Sequence, residues 1–499
     1  MRKIYSTLLA TSFIAFLAFT LVTGCKQKSS VNIESEGEEN DKYDGADQAV
    51  LFEIERTKDP ATGRVPWQQL RIAMEQTEVA KEQARMNRTE STQALGWIER
   101  GPNGDYARLS GNPRPNDDQT SGRIRATMVD SLDPTHKTVF AGSVAGGLWK
   151  TTDITAFPAN WILVNDFLSN LAIADICQDP RPGFQHIMYM CTGESYGNAD
   201  AVRGVGVFKS TDAGASWSFL SSSSSFLNGT RILCDHLGNV YLGTRGNGLL
   251  RSIDGGSSWA NITPAGIGND ICDLEISSTA LPARLHVTTG IFSTSGYRYT
   301  DIPAAATTGA GWVAAATPFT TFNQRTEIAV SGNVLYACPD NASHQVPTIW
   351  KSSDGGNNWA SVGIQPGGGT WANGQGWYDL SCSINPANSE ECIVGGLECY
   401  KTTTGGNSWT KIAVWVGGSG QYIHADQQDI QWWDGGTKLM FACDGGIHYS
   451  SDGGATTRDR NKGLRIKQFY SIAIHPTDVN NFIAGAQDNG MHRINHPGL

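Results

Sequence analysis

The chain has 499 residues, with 48 acidic against 38 basic side chains and a formal net charge of −10. A phosphate-binding surface needs a basic face, so this balance argues against a nucleic-acid partner. Charged residues make up only 17% of the chain while 57 are glycine, a composition suited to many short strands joined by tight turns.

Residues 1–25, "MRKIYSTLLATSFIAFLAFTLVTGC", combine a basic start, an apolar run and a small-residue cleavage site, and read as a leader. The closing Val22-Thr23-Gly24-Cys25 resembles a bacterial lipobox. That resemblance implies that Cys25 bears a lipid, anchoring the chain to a membrane rather than spanning it. Lys26, where an inner-membrane retention aspartate would stand, suggests an outer-membrane or cell-surface address. Residues 26–55 are polar and acid-rich, with too few large apolar side chains to offset the entropy of ordering, and read as a disordered tether. Within 56–94, good helix formers follow Pro66, and Leu70, Ile72, Met74, Val79 and Ala80 give a rough apolar face. This pattern predicts one helix over about 66–87.

From residue 95 the texture changes to short β-type runs, glycines and turn dipeptides, and it repeats. Units open near 124, 171, 230, 270, 325, 378 and 427, each the size of a four-stranded blade. Such a blade has two apolar faces and must bury both against neighbours, so the units have to stack and close. The expectation is an all-β propeller of seven four-stranded blades over 95–467, with 468–499 the incomplete start of a further blade or second propeller. Nine cysteines remain besides Cys25, mostly inside apolar runs, and read as small buried hydrophobes. Cys392 and Cys399 stand where a hairpin could bring them face to face.

Third strands end in S/T-x-D-x-G-x-x-W, as in "STDAGASW", "SIDGGSSW" and "SSDGGNNW". Asp212, Asp254, Asp354 and Asp452 are assigned to turns, where a short carboxylate accepts backbone N–H groups. Trp217, Trp259, Trp359 and Trp409 are read as wedges between blades. Degenerate copies fit a structural device: Thr404 replaces the aspartate in one unit and Thr457 the tryptophan in another.

With these motifs, and with "GRIRATMVD", "FAGSVAGGLWKTTD", "CTGE", "IHADQQD" and "GAQDNG", residues 95–494 resemble the Asp-box, or bacterial neuraminidase repeat, propellers. That superfamily includes sialidases, sortilin-type ectodomains and xyloglucan-degrading tandem propellers, and its motifs specify fold better than activity. The resemblance implies that ligand binds on the channel face opposite the Asp motifs. There the second-to-third-strand links and the starts of first strands supply Arg123, Glu194, Arg231, Arg245, Arg325, Tyr378, Glu398, His424, Asp426, Asp444, Gln487 and Asp488.

Three readings compete for that surface. A two-carboxylate glycosidase needs a pair about 5 Å or about 6.5–9.5 Å apart, which Glu194 with Asp444 or Glu398 would supply. Against it, Val144 of "SVAGG" stands where the xyloglucan-degrading enzymes carry a catalytic aspartate. A sialidase needs three arginines and a tyrosine nucleophile, for which Arg123, Arg231, Arg325 and Tyr378 are available. The favoured reading is a lipid-anchored propeller recognising an extracellular glycan or protein without turnover. Alternation puts His424 and Asp426 on one side of a strand, with Asp429 nearby, but a hydrogen-bonded strand start is preferred to a metal site, and no cofactor is called for.

Overall fold

A computed structural model describes residues 118–495, apart from the short stretches 197–200, 278–282, 320–323 and 417–420, together with part of the segment 51–114. The leader, Cys25 and nearly all of the tether lie outside the described residues, as does most of the stretch expected to be helical. Ile72 and Val79, which are described, are exposed. Among the described residues no helix is long and apolar enough to cross a membrane.

Among the described residues, strands adjacent in sequence pair antiparallel into eight small sheets, and the first seven are the blades of a β-propeller. The first strands of the blades are Ile124–Val129, Ile173–Gln178, Gly229–Cys234, Ile271–Ser277, Thr326–Ser331, Ser381–Ile384 and Gln427–Trp433. They lie against one another all the way round the axis, blade seven against blade one. Among the described residues six blades have four strands, while blade four has three and a single bridge from Tyr299 to Val313 in place of the fourth. Its third strand runs into "TDIPAAATTGAGW", where Pro303 offers no N–H for a ladder.

The apolar core lies between blades. Met128, Phe140 and Leu148 of blade one pack on Ile173, Met188 and Phe208 of blade two, and Trp149 and Trp161 of blade one pack on Met440, Ile447 and Tyr449 of blade seven. Neither face of any one sheet is self-sufficient, which is why stacking and ring closure accompany folding. Polar clamps reinforce the closure. Asp175, Asp273 and Asp429 each follow a slip in strand register, which turns a side chain out of its own ladder toward the next blade. Asp175 accepts from Ile232 N (2.8 Å), Asp273 from Ile328 N (2.9 Å) and Asp429 from Thr127 N (3.0 Å), tying blade two to three, four to five and seven to one.

The Asp motifs close turns between third and fourth strands. Asp212 accepts from Ser216 N (2.8 Å) and Oγ (2.6 Å), Asp354 holds Asn358 in the same way, and Thr404 Oγ1 accepts from Ser408 N at 2.9 Å. Each motif tryptophan packs between its own blade and the preceding one, as Trp217 does with Phe140 and Met128. Because these carboxylates are exposed and make local bonds, Asp212→Ala is expected to cost on the order of 1 kcal/mol in a urea titration. Ligand retention should be unchanged, since the turn is at the end of the axis away from the site described below.

The eighth sheet is three-stranded (Phe469–His475, Asp478–Ala486, Gly490–Ile494), one strand more than the half-unit read from sequence. Tyr470, Ile472 and Ile474 on its first strand are exposed. Cys392 and Cys399 do not face each other: Cys392 pairs with Thr402 and Cys399 with Gly395 across the hairpin, and all nine described cysteines are free thiols.

Candidate functional site

A meandering blade sends its second-to-third-strand link and the approach to its first strand to the same end of the axis. At that end Arg123, just before blade one, meets Glu194 from the blade-two link, Tyr378 from the approach to blade six, and Asp444 from the blade-seven link. Arg123 Nη1 donates to Glu194 Oε1 (3.3 Å) and to Tyr378 Oη (3.2 Å), and its Nη2 donates to Gln468 Oε1 (2.6 Å). Tyr378 Oη donates to Asp444 Oδ2 (2.8 Å), and Gln428 Nε2 donates to the other oxygen of Asp444 (3.0 Å). Three contacts in series thus link Glu194 to Asp444, holding their nearest oxygens within about 9 Å.

Close backbone approach makes this possible at two glycines. Gly193 has φ +108°, and a Cβ there would stand 2.7 Å from Leu227 O, so only glycine lets the chain press in and deliver Glu194. A Cβ on Gly445, next to Asp444, would fall 2.3 Å from the His424 ring.

A second knot adjoins the first. Arg325 donates from Nε (2.9 Å) and Nη2 (2.7 Å) to Glu327 Oε1, and to the carbonyls of Tyr378 (2.6 Å) and Leu380 (2.8 Å). Its guanidinium stacks 3.8 Å from the Tyr196 ring. Arg231 bridges Asp273 (2.9 Å) and Glu327 (3.0 Å). Arg125 links the two knots: it donates to Glu194 (3.4 Å) and lies 4.7 Å from the Tyr196 ring and 5.4 Å from that of Tyr378.

Burial sets the electrostatics. Glu194 and Asp444 are 2% and 1% exposed. Loss of water, with Asp488 close by, pushes the Asp444 carboxyl up to about 8, so it holds a proton at neutral pH. Burial, helped by Asp444, likewise pushes the Tyr378 hydroxyl well above its ordinary value. Burial opposes the charge of Glu327, but Arg325 and Arg231 outweigh it and hold that carboxyl below its usual range. One oxygen of Glu194 and two guanidinium nitrogens of Arg125 are buried without a hydrogen-bond partner among the described residues, leaving capacity for further bonds at the centre of the cluster.

Of the residues nominated from sequence, Arg123, Glu194, Tyr378 and Asp444 form one network, with Arg231 and Arg325 in the adjoining knot. Arg231 and Arg325 are there as ion-pair partners of Asp273 and Glu327, not as arginines turned toward a ligand. Arg245 donates to Ser195 O (3.3 Å) and lies 4.9 Å from the Phe292 ring, beside the cluster. The turn of the eighth sheet reaches the rim: His424 Nε2 meets Asp488 O at 3.0 Å, Asn489 donates to Asp444 O at 3.0 Å, and Gln487 donates to Asp488. Glu398 is not brought to the cluster, because the short blade-six link turns its side chain outward to Lys411 and to Tyr400 Oη (2.9 Å). His424, Asp426 and Asp429 do not converge on one point, since Asp429 is spent on Thr127; Asp426 takes the left-handed backbone conformation (φ +64°), which breaks the simple alternation assumed for the strand. Among the described residues no group of three or more His, Cys, Asp or Glu has metal-binding geometry.

Sequence reasoning passed over Arg125, Gln428, Glu327 and Asp273. Two of these had a signal: Arg123 and Arg125 in "GRIR", and Arg325 and Glu327 in "RTE", are two apart and so share a side of an extended strand.

No protein-family model and no curated protein matches the chain. Among solved structures it is similar to the GH74 xyloglucanase from Xanthomonas campestris (TM-score 0.55, 17% identity, 74% of this chain and 59% of that one). It is also similar to a GH74 enzyme from Niastella koreensis (0.54, 16%, 75% and 59%) and to an ancestral GH74 enzyme (0.56, 16%, 76% and 54%). The chain therefore spans less than two thirds of the length of these structures, and at such identity the likeness establishes the propeller fold.

Proposed function

We propose that this is a lipid-anchored, extracytoplasmic Asp-box propeller that recognises an extracellular glycan or protein ligand at the channel end carrying Arg123, Glu194, Tyr378 and Asp444. The observation that carries the reading is the state of the two carboxyl groups. Arg123 and Tyr378 stand between Glu194 and Asp444, in the space where a two-carboxylate hydrolase needs its scissile bond and water. Val144, buried in the blade-one link, adds no acid to replace them. What faces outward is a polar rim of Arg245, His424, Gln487, Asp488 and Asn489 beside the half-buried Phe292 ring, a mixture suited to hydroxyl-rich or peptide ligands. The glycan-active GH74 structures of the same fold lend support to the glycan class of ligand.

The test is a panel of immobilised xyloglucan, other β-glucans, sialosides and surface proteins, with product release measured on the same samples. Retention without release is expected, and Asp488→Ala on the rim should weaken retention about tenfold. A hydrolytic reading has one feature in its favour: burial raises the Asp444 carboxyl above the usual carboxylate range, as a general acid requires. Product release that disappears in Asp444→Asn would establish that reading instead.

A further inference from the structure

We infer that on oxidation Cys177 and Cys234 join in a disulfide that staples blade two to blade three. Cys177 lies on the first strand of blade two and Cys234 ends the first strand of blade three. These strands are already fixed side by side, because Asp175 accepts from Ile232 N. Two residues further along each strand, alternation returns the side chains to the same side, which brings Cys177 to Cys234. Their sulfurs are 3.5 Å apart. A disulfide requires about 2.0 Å, a gap that side-chain rotation closes when the backbones are in place. The surroundings, Ala174, Ile232, Val240 and Leu242, are apolar and accept an uncharged S–S bond more readily than a thiolate.

Access also favours this pair. Cys177 is the less buried of the two, while Cys234 is 8% exposed. The other close thiols, Cys382 with Cys392 (3.7 Å) and Cys382 with Cys338, each involve a partner cysteine with no exposure at all. The chemistry needs only a small disulfide oxidant. Cys177, giving up its proton to the alkaline buffer as it reacts, attacks the oxidant, releasing one small thiol and leaving a mixed disulfide. Cys234, losing its proton, then attacks the Cys177 sulfur and expels the second small thiol. Two protein thiols give up two electrons and two protons, and the oxidant's S–S bond becomes two thiols. The extracytoplasmic address proposed above would put the chain where such oxidants prevail, but the pairing itself rests on the geometry.

The experiment uses the full chain treated with oxidised glutathione in mildly alkaline buffer, denatured without reductant in N-ethylmaleimide, and mapped by peptide mass. The expected result is a Cys177 peptide joined to a Cys234 peptide, with Cys191, Cys272, Cys338, Cys382, Cys392, Cys399 and Cys443 alkylated. Reductant should then lower the melting temperature of the oxidised wild type by a few degrees and leave that of Cys234→Ala unchanged. Finding both cysteines alkylated after oxidation, or either joined to a different cysteine such as Cys191, overturns the inference. The mapping is done on wild-type chain, so its outcome does not depend on whether the variant folds.

Discussion

Arg325→Met is expected to lower the stability of the propeller by about 3–5 kcal/mol, the usual cost of removing one partner from a buried ion pair. Arg325 is 1% exposed and sits where blade five meets the approach to blade six. Methionine fills much of the same space but cannot donate, so Glu327 keeps only Arg231, and the carbonyls of Tyr378 and Leu380 lose their donor. The consequence reaches the site, because those carbonyls belong to the segment that presents Tyr378 to Arg123 and Asp444. Ligand retention should fall with stability, and both should be measured, by urea titration and on the responding member of the panel. Arg325→Lys should recover less than half of the stability loss, since a single ammonium cannot span a carboxylate and two carbonyls while stacking on Tyr196. Full recovery by lysine would mean that charge alone matters at this position.

The same residue marks how far the sequence could be read. The blades were legible because their signals are local: strand alternation, turn glycines and the Asp motif lie within a few residues of one another. The departures in blade four and at the eighth sheet came where that local signal was weakest. The channel end was legible only as a set of candidates. Whether Arg325 meets a ligand or Glu327 depends on partners contributed by other blades, and Thr127 meets Asp429 only because residues 302 positions apart are joined when the ring closes. Glu398 shows the reverse limit. Its place in the link matched that of Glu194, but the blade-six link is so short, with Gly396 N bonded to Glu398 O, that the side chain leaves toward the outer strand. The clamps Asp175 and Asp273 escaped notice because a register slip, not strand alternation, aims them at the next blade.

Asp444→Asn is expected to match wild type in stability below about pH 4 and to exceed it increasingly as pH rises toward about 8. In the folded chain burial holds the Asp444 proton up to about pH 8, whereas an unfolded aspartate releases it near pH 4. Between those values the folded state binds the extra proton, so its contribution is fully present below about pH 4 and is lost as pH rises through about 8. Asparagine imitates the protonated acid: its carbonyl still accepts from Tyr378, and the Gln428 amide can turn to accept from the new NH2 group. Wild type should therefore lose on the order of a few kcal/mol more than the variant between pH 5 and pH 9 in parallel urea titrations. Asp273 and Asp175, both pushed upward by burial, impose the same trend on both proteins, so the difference between the two curves isolates Asp444. Parallel curves would mean that Asp444 is already ionised in the folded chain. A protonated Asp444 that can be exchanged for asparagine without loss of ligand is a hydrogen-bonding post for Tyr378. If the same exchange leaves folding and binding intact but stops product release, its proton is the one delivered to a leaving group.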